Sequence, residues 1–103
     1  MSMVVSQAKN SGETLAYTFD FISKLASGET IISAACTAMV WSGVDSSPAS
    51  IVSGTATISG TKVTQNITGG VNGCIYMVNC RVTTSTSTVY MITTYIPVVS
   101  NPL

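Results

Sequence analysis

No histidine occurs among the 103 residues. That absence removes the commonest general base, the Ser-His and Cys-His nucleophile pairs, and most zinc sites. Charge is scarce as well. Lys and Arg number 4, Asp and Glu number 4, and the formal net charge is zero. Charged residues make up 8% of the chain, against about a quarter in an average domain. A neutral chain carries no electrostatic footprint for nucleic acid or for an acidic membrane surface. No run approaches the ~20 apolar residues of a membrane span. The start of the chain, Met1 to Ser11, lacks the cationic region and apolar run of a secretion signal. The expectation is a protein made and kept in a cytosol, where thiols stay reduced.

Three cysteines, Cys36, Cys74 and Cys80, are an odd number for a disulfide framework. Cys74 and Cys80 on one strand would sit ~20 Å apart and cannot bridge within the chain. Cys36 could reach Cys80 if their strands faced each other across a sandwich. Free, small apolar core residues are the expectation for all three.

The four carboxylates are Glu13, Asp20, Glu29 and Asp45. They are scattered, and none pairs at a spacing suited to glycoside chemistry. Asp20 follows Phe19 at a strand end, where it is expected to cap a turn. Asp45-Ser46-Ser47 offers one carboxylate and two hydroxyls, too thin a ligand set for calcium. The run Gly69-Gly70-Val71-Asn72-Gly73 lacks the Lys and Ser/Thr of a phosphate loop, and a strand follows it, so it reads as a hairpin connection. Asn66-Ile67-Thr68 matches a glycosylation acceptor, relevant only in a secretory pathway. Lys9, Lys24, Lys62 and Arg81 do not cluster. Trp41 and Tyr76 read as core residues. Tyr90 and Tyr95 differ in parity, so one of them is expected to face out, where an aromatic can anchor an interface. Catalytic, cofactor and metal residues are therefore expected to be none.

What the chain does have is alternation. Cys74, Tyr76, Val78, Cys80 and Val82 occupy even positions, so on a strand they share one face committed to a core. Leu15, Tyr17, Phe19 and Phe21 alternate in the same way over 14–21. Ile22 to Ser27 reads as one helical turn before Gly28. Ile31 to Trp41 is apolar on both sides, which predicts a central or covered strand. Ser42 to Ala49 reads as a loop. Ile51 to Ser53 and Thr55 to Ile58 read as short strand pieces. Ser59-Gly60-Thr61 turns the chain, and Val63, Gln65 and Ile67 align on the return. Ser85-Thr86-Ser87 reads as a polar hairpin turn before a last strand over 88–99. Pro97 places the end of that strand on an edge or outside the ladder.

About seven strands with turn signals at roughly ten-residue spacing predict an all-β domain, a single immunoglobulin-like sandwich of antiparallel strands. A closed barrel is the alternative. The expected layout is an arm over 1–13, in which Met1 to Gly12 is a flexible arm or an early edge strand. A sandwich follows over 14–99 and a tail over 100–103. A domain of this size buries roughly two-thirds of its unfolded surface, enough for one core without metal or disulfides. Ser and Thr total about thirty residues, above ordinary usage. Uncharged polar residues in place of Lys and Glu leave a surface cheap to desolvate against neighbours. An ordinary β domain with Thr-rich faces fits the same composition.

Several words in order and spacing carry a resemblance. They are Tyr17-Thr18-Phe19-Asp20, Ser27-Gly28-Glu29-Thr30-Ile31, Ser46-Ser47-Pro48 and Ile58-Ser59-Gly60-Thr61-Lys62-Val63. Thr68-Gly69-Gly70-Val71-Asn72-Gly73 with Tyr76 and Cys80, and Thr83-Thr84-Ser85, complete the set. Together they resemble small virion structural proteins of tailed bacteriophages and prophages, some of them fiber–tail adaptor proteins. The similarity runs from about Tyr17 to Val98, and departs from one form of the family at Phe21 to Leu25, where tryptophans are expected.

The resemblance implies a non-enzymatic, copy-rich part of the virion, made in the host cytoplasm and placed in the tail or neck. It implies a link between a tail, nozzle, baseplate or portal-adaptor protein and a fiber protein, with copies of itself as further partners and no nucleic acid or membrane. Edge-strand pairing between copies fits an open sandwich. The expected contact segments are Met1 to Gly12, Ser42 to Ser50 and Pro97 to Leu103. Capsid decoration by the same fold is the alternative function. A glycan-binding fiber module, with Trp41 or Tyr95 at its site, is a third.

Overall fold

The structure of the protein, a computed structural model, describes residues 8–99. Most of the expected arm and all of the expected tail lie outside the described residues. Among the described residues seven strands form: β1 Lys9–Asn10, β2 Thr14–Asp20, β3 Ile31–Ser42, β4 Val52–Ser59, β5 Lys62–Thr68, β6 Ile75–Thr84 and β7 Val89–Val99. A single 3-10 turn, Pro48–Ile51, precedes β4. The strands build two sheets, one ordered β1-β7-β6-β3 and the other β2-β5-β4. The sheets pack face to face as a β-sandwich.

Alternation decides which residues meet between the sheets. From the four-stranded sheet, Tyr76, Val78, Cys80, Val82, Ile96 and Val98 point inward and are buried. From the three-stranded sheet come Tyr17, Phe19, Val63 and Ile67, with Gln65 buried beside them. Phe21, just past β2, and Ile51 in the 3-10 turn close the ends of the core. Gln65 is tolerated inside because its amide donates to the carbonyls of Ser53, Gly54 and Asn66 at 2.9–3.2 Å.

The expected faces of β2, β5 and β6 therefore hold, and the structure changes several other readings. Not every pairing is antiparallel, because β1 runs parallel to β7, with Lys9 beside Val98 and Asn10 beside Val99. Residues 69–73 do not form a hairpin, since β5 and β6 lie in different sheets and the segment crosses between them. β3 is an edge strand rather than a central one. Ile51 belongs to the 3-10 turn, Ser42 to β3, and the two expected strand pieces fuse into β4 with a register shift between Ser53 and Thr57. Gly54 sits in that shift at φ +70°, a conformation that costs glycine little.

Cys36 and Cys80 do not face each other across the sandwich. They are neighbours within one sheet, directly opposite on β3 and β6. All three cysteines are free thiols. Pro97 lies within β7, which sits between β1 and β6. Val98 donates its N–H to Cys74 O on the β6 side, so by alternation the nitrogen of Pro97 faces the opposite, outer side. There, among the described residues, β1 pairs from Val98 onward, so the missing N–H leaves none of the described ladder bonds unmade. Residues 22–27 make the expected turn: Lys24 and Leu25 both donate their N–H groups to Phe21 O, at 2.9 and 3.1 Å. Among the described residues no helix is long and apolar enough to cross a membrane.

Candidate interaction surface

The outward face of β3, β6 and β7 is unusually apolar for a sheet surface. Inward residues take one parity on these strands, so Met39, Trp41, Met77, Met91, Tyr95 and Val89 take the other. Met39, Met77 and Tyr95 stand in one cross-strand row. Ala35, Arg81 and Met91 form a second row, and Thr37, Asn79 and Thr93 lie between them. Thr93 Oγ1 donates to Asn79 Oδ1 at 2.5 Å. Arg81 is the single charge in these rows.

Trp41 is 52% exposed, which corrects its expected place in the core. Two faces of similar hydropathy on β3 gave no sequence signal for which side Trp41 takes. Its indole meets the Tyr95 ring edge to face, with centroids 5.4 Å apart and planes at 74°. Such aromatic pairs are favourable beyond the area they cover. The parity difference between Tyr90 and Tyr95 is realised, since Tyr95 faces out and Tyr90 turns its hydroxyl toward Glu29. Beyond β3, Val44 is 87% exposed at the start of the loop leading to the 3-10 turn.

The carboxylates hold loops in place. Glu29 Oε2 accepts from Thr84 Oγ1 and Thr86 Oγ1, both at 2.5 Å, while Oε1 accepts from Ala26 N and Tyr90 Oη at 2.9 and 3.3 Å. Those hydrogen bonds, the hydroxyls of Thr84 and Thr86 first, hold its pKa at about 2. The cluster fastens the β2–β3 loop to the β6–β7 hairpin. Sequence reasoning missed it, because Thr84 and Thr86 lie 55 and 57 residues from Glu29.

At the other end Asp45 Oδ2 accepts from Tyr76 Oη at 2.6 Å, and its Oδ1 accepts from Ser47 N at 2.9 Å. The Tyr76 bond is the main cause that lowers the Asp45 pKa. Burial first, and then the bond to Asp45, raises that of Tyr76. Asp20 Oδ1 accepts from Ile22 N and Thr61 Oγ1, both at 3.0 Å, and so caps two adjacent turns as expected. Glu13 Oε1 accepts from Asn10 N at 2.8 Å.

Lys9 is fully buried, with Nζ donating to Gly69 O at 2.7 Å and Asn10 O at 2.9 Å. Burial lowers its pKa, and the nearby Glu13 charge opposes that shift. Lys24, Lys62 and Arg81 are exposed. Among the described residues no three of the Cys, Asp or Glu side chains converge in a way that would hold a metal ion. Two clefts open along the seams of the sandwich. One, of about 200 Å³, lies between Tyr17 and Phe19 of β2 and Ile92 and Thr94 of β7. The other, of about 190 Å³, lies between Cys36 of β3 and Val52 and Ala56 of β4. Among the described residues neither collects a constellation of general acid, base and activated nucleophile.

No curated protein and no solved structure matches the chain. A protein family does, the one described as podophage GP4 fiber-tail adaptor protein gp77, over residues 9–97. That span runs from the first residue of β1 almost to the end of β7 and takes in both sheets. The chain belongs to this phage fiber-tail adaptor family.

Proposed function

We propose that the protein is a non-enzymatic component of the phage virion that joins the tail or its nozzle to a fiber. Its partners on this reading are tail, nozzle, baseplate or portal-adaptor proteins, a fiber protein and copies of itself, with no part for nucleic acid or membrane. The observation that carries the reading is the outward face of β3, β6 and β7. Exposed Trp41, Met39 and Met91, with Tyr95 beside them, have the composition of an interface centre, rich in aromatics and Met and poor in charge. The family description supplies the kind of neighbour such a face would meet.

The architecture suits a rigid spacer. We read the strand order as immunoglobulin-like: β2-β5-β4 opposes β7-β6-β3, and the short first strand pairs with β7. Tyr76 supports that reading. It stands near the start of β6, just after the inter-sheet crossover, and its hydroxyl accepts the N–H of Val71 five residues upstream at 2.8 Å, as the corner tyrosine of such domains does. The loop 42–50 adds a second contact region beside Trp41, with exposed Val44 at its start.

Stoichiometric mass spectrometry of purified virions, with tail and capsid fractions separated, tests the proposal. The expected result is about six to twelve copies in the tail fraction, as ring symmetry around a tail requires. Copies in the hundreds in the capsid fraction would make it a decoration protein instead, and absence from both fractions would overturn the virion reading.

A further inference from the structure

Cys36 and Cys80 are direct partners on antiparallel β3 and β6. The ladder on the other side of β6 says which kind of partners they are. Val98 donates its N–H to Cys74 O, and Thr84 donates its N–H to Thr88 O. Backbone groups alternate sides along a strand, so even-numbered residues from Cys74 to Thr84 aim theirs at β7. Cys80 therefore exchanges no backbone hydrogen bond with Cys36, and the two form a non-hydrogen-bonded pair. That is the closer kind, with Cα atoms about 4.5 Å apart and side chains side by side. Disulfides span Cα separations of roughly 4.4–6.8 Å.

Access is the second observation. Cys80 is fully buried, whereas Cys36 is only partly so and lines the cleft of about 190 Å³ between β3 and β4. The wall of that cleft is small and open at Ala34, Gly54 and Ala56. Cys36 thus faces a space large enough for a molecule the size of a peroxide, while Cys80 is closed to solvent. The adjoining Cys80 thiol also draws the Cys36 pKa down, while Cys36 and burial push that of Cys80 up. Cys36, the more exposed of the two, is the thiol whose charged form water can solvate, and the thiolate is the nucleophile.

We propose that Cys36 and Cys80 are a reversible oxidation site, converted by a peroxide into a disulfide that ties β3 to β6. The Cys36 thiolate attacks one oxygen of hydrogen peroxide. The O–O bond breaks, and the leaving oxygen departs as water with the proton lost from Cys36. Cys36 is left as a sulfenic acid. The sulfur of Cys80 then displaces the hydroxyl, the S–S bond forms, and a second water leaves with the Cys80 proton. Two thiols and one peroxide become one disulfide and two waters. Cys74 takes no part, because its sulfur lies at the far end of β6 and donates to Val44 O at 3.5 Å. The product pins the edge strand that carries Met39 and Trp41 to its neighbour in the sheet, β6.

Hydrogen peroxide treatment of the full chain, followed by intact mass and peptide mapping, tests this. The expected result is a loss of about 2 Da, for the two hydrogens removed, reversed by dithiothreitol, with Cys36 linked to Cys80. Cys74→Ser should behave as the wild type, and in both the urea midpoint should rise on oxidation and fall back on reduction. Cys36→Ser should lose both responses. Unchanged thiols, an oxygen adduct on Cys36 with Cys80 still free, or a disulfide through Cys74 or between chains would each overturn the proposal. The mapping is done on the wild-type protein, so the test stands even if a serine variant fails to fold.

Discussion

Tyr76 reaches out of the core to Asp45, donating its phenolic hydrogen to Oδ2 at 2.6 Å. The ring is fully buried, yet its hydroxyl also accepts the N–H of Val71 at 2.8 Å. One side chain thus holds the loop after β3 and the crossover between the sheets. Tyr76→Phe keeps the ring and removes both bonds. The expected cost is about 1–3 kcal/mol, since the Val71 N–H loses its partner. Urea unfolding should show a lower midpoint with an unchanged slope.

Acid should act through Glu29. Its folded pKa, about 2, lies below the ordinary 4.5. The folded state therefore holds the carboxylate charged where the unfolded chain takes up a proton. Its contribution is present above about 4.5 and is lost as pH falls toward about 2. Asp45, also lowered, acts in the same direction. In melts across that range, the stability gap between wild type and Glu29→Gln should narrow steadily as pH falls. A gap constant with pH would show that Glu29 titrates normally in the folded protein.

The two faces of the four-stranded sheet should respond oppositely to truncation. Val78→Ala empties space in a fully buried position and should cost roughly 2 kcal/mol. Met91→Ala, on the exposed face, should stay within about 0.5 kcal/mol of the wild type. Equal costs in a denaturant series would mean that the inward face is misassigned.

Trp41→Ala separates folding from contact. The loss of the Tyr95 stacking should cost about 1 kcal/mol or less. Incorporation of the variant into virions, read by mass spectrometry of the tail fraction, should fall far more than its stability does. Wild-type incorporation would remove this face from the interface.

Gly43 should resist substitution. Its φ is +104°, and a Cβ there would come within 2.7 Å of Cys74 Sγ and 3.0 Å of its Cα. Strain and overlap should make Gly43→Ala cost at least about 1–3 kcal/mol, read as a drop in thermal midpoint.

Period-two alternation made much of this fold legible. Cys74 through Val82 and Val63 through Ile67 alternate cleanly because one side of each strand meets the core and the other does not. β3 defeated the same reasoning, since Ala34, Cys36 and Ala38 on its inner side are no more apolar than Met39 and Trp41 outside. Alternation marks a strand but cannot say which apolar face is covered. The crossover at Gly69–Gly73 and the parallel pairing of Lys9–Asn10 with β7 were hidden for another reason. Sheet membership is decided by partners far away in the chain. So is the Glu29 cluster, assembled from the two ends of the β-rich region. The turn role of Asp20 was legible because its partners at Ile22 and Thr61 follow from strand-end chemistry.

The parallel pairing of β1 with β7 also sets how the molecule carries a load. Lys9 and Val98 lie side by side, so tension applied between residues 8 and 99 pulls these two strands past each other along their length. Neighbouring bonds then bear the force together instead of opening one at a time. The Lys9 ammonium, anchored on Gly69 O, adds a cross-tie to the inter-sheet crossover. Tension applied across residues 8 and 99 would therefore fall first on this edge pairing rather than on the strands that enclose the core.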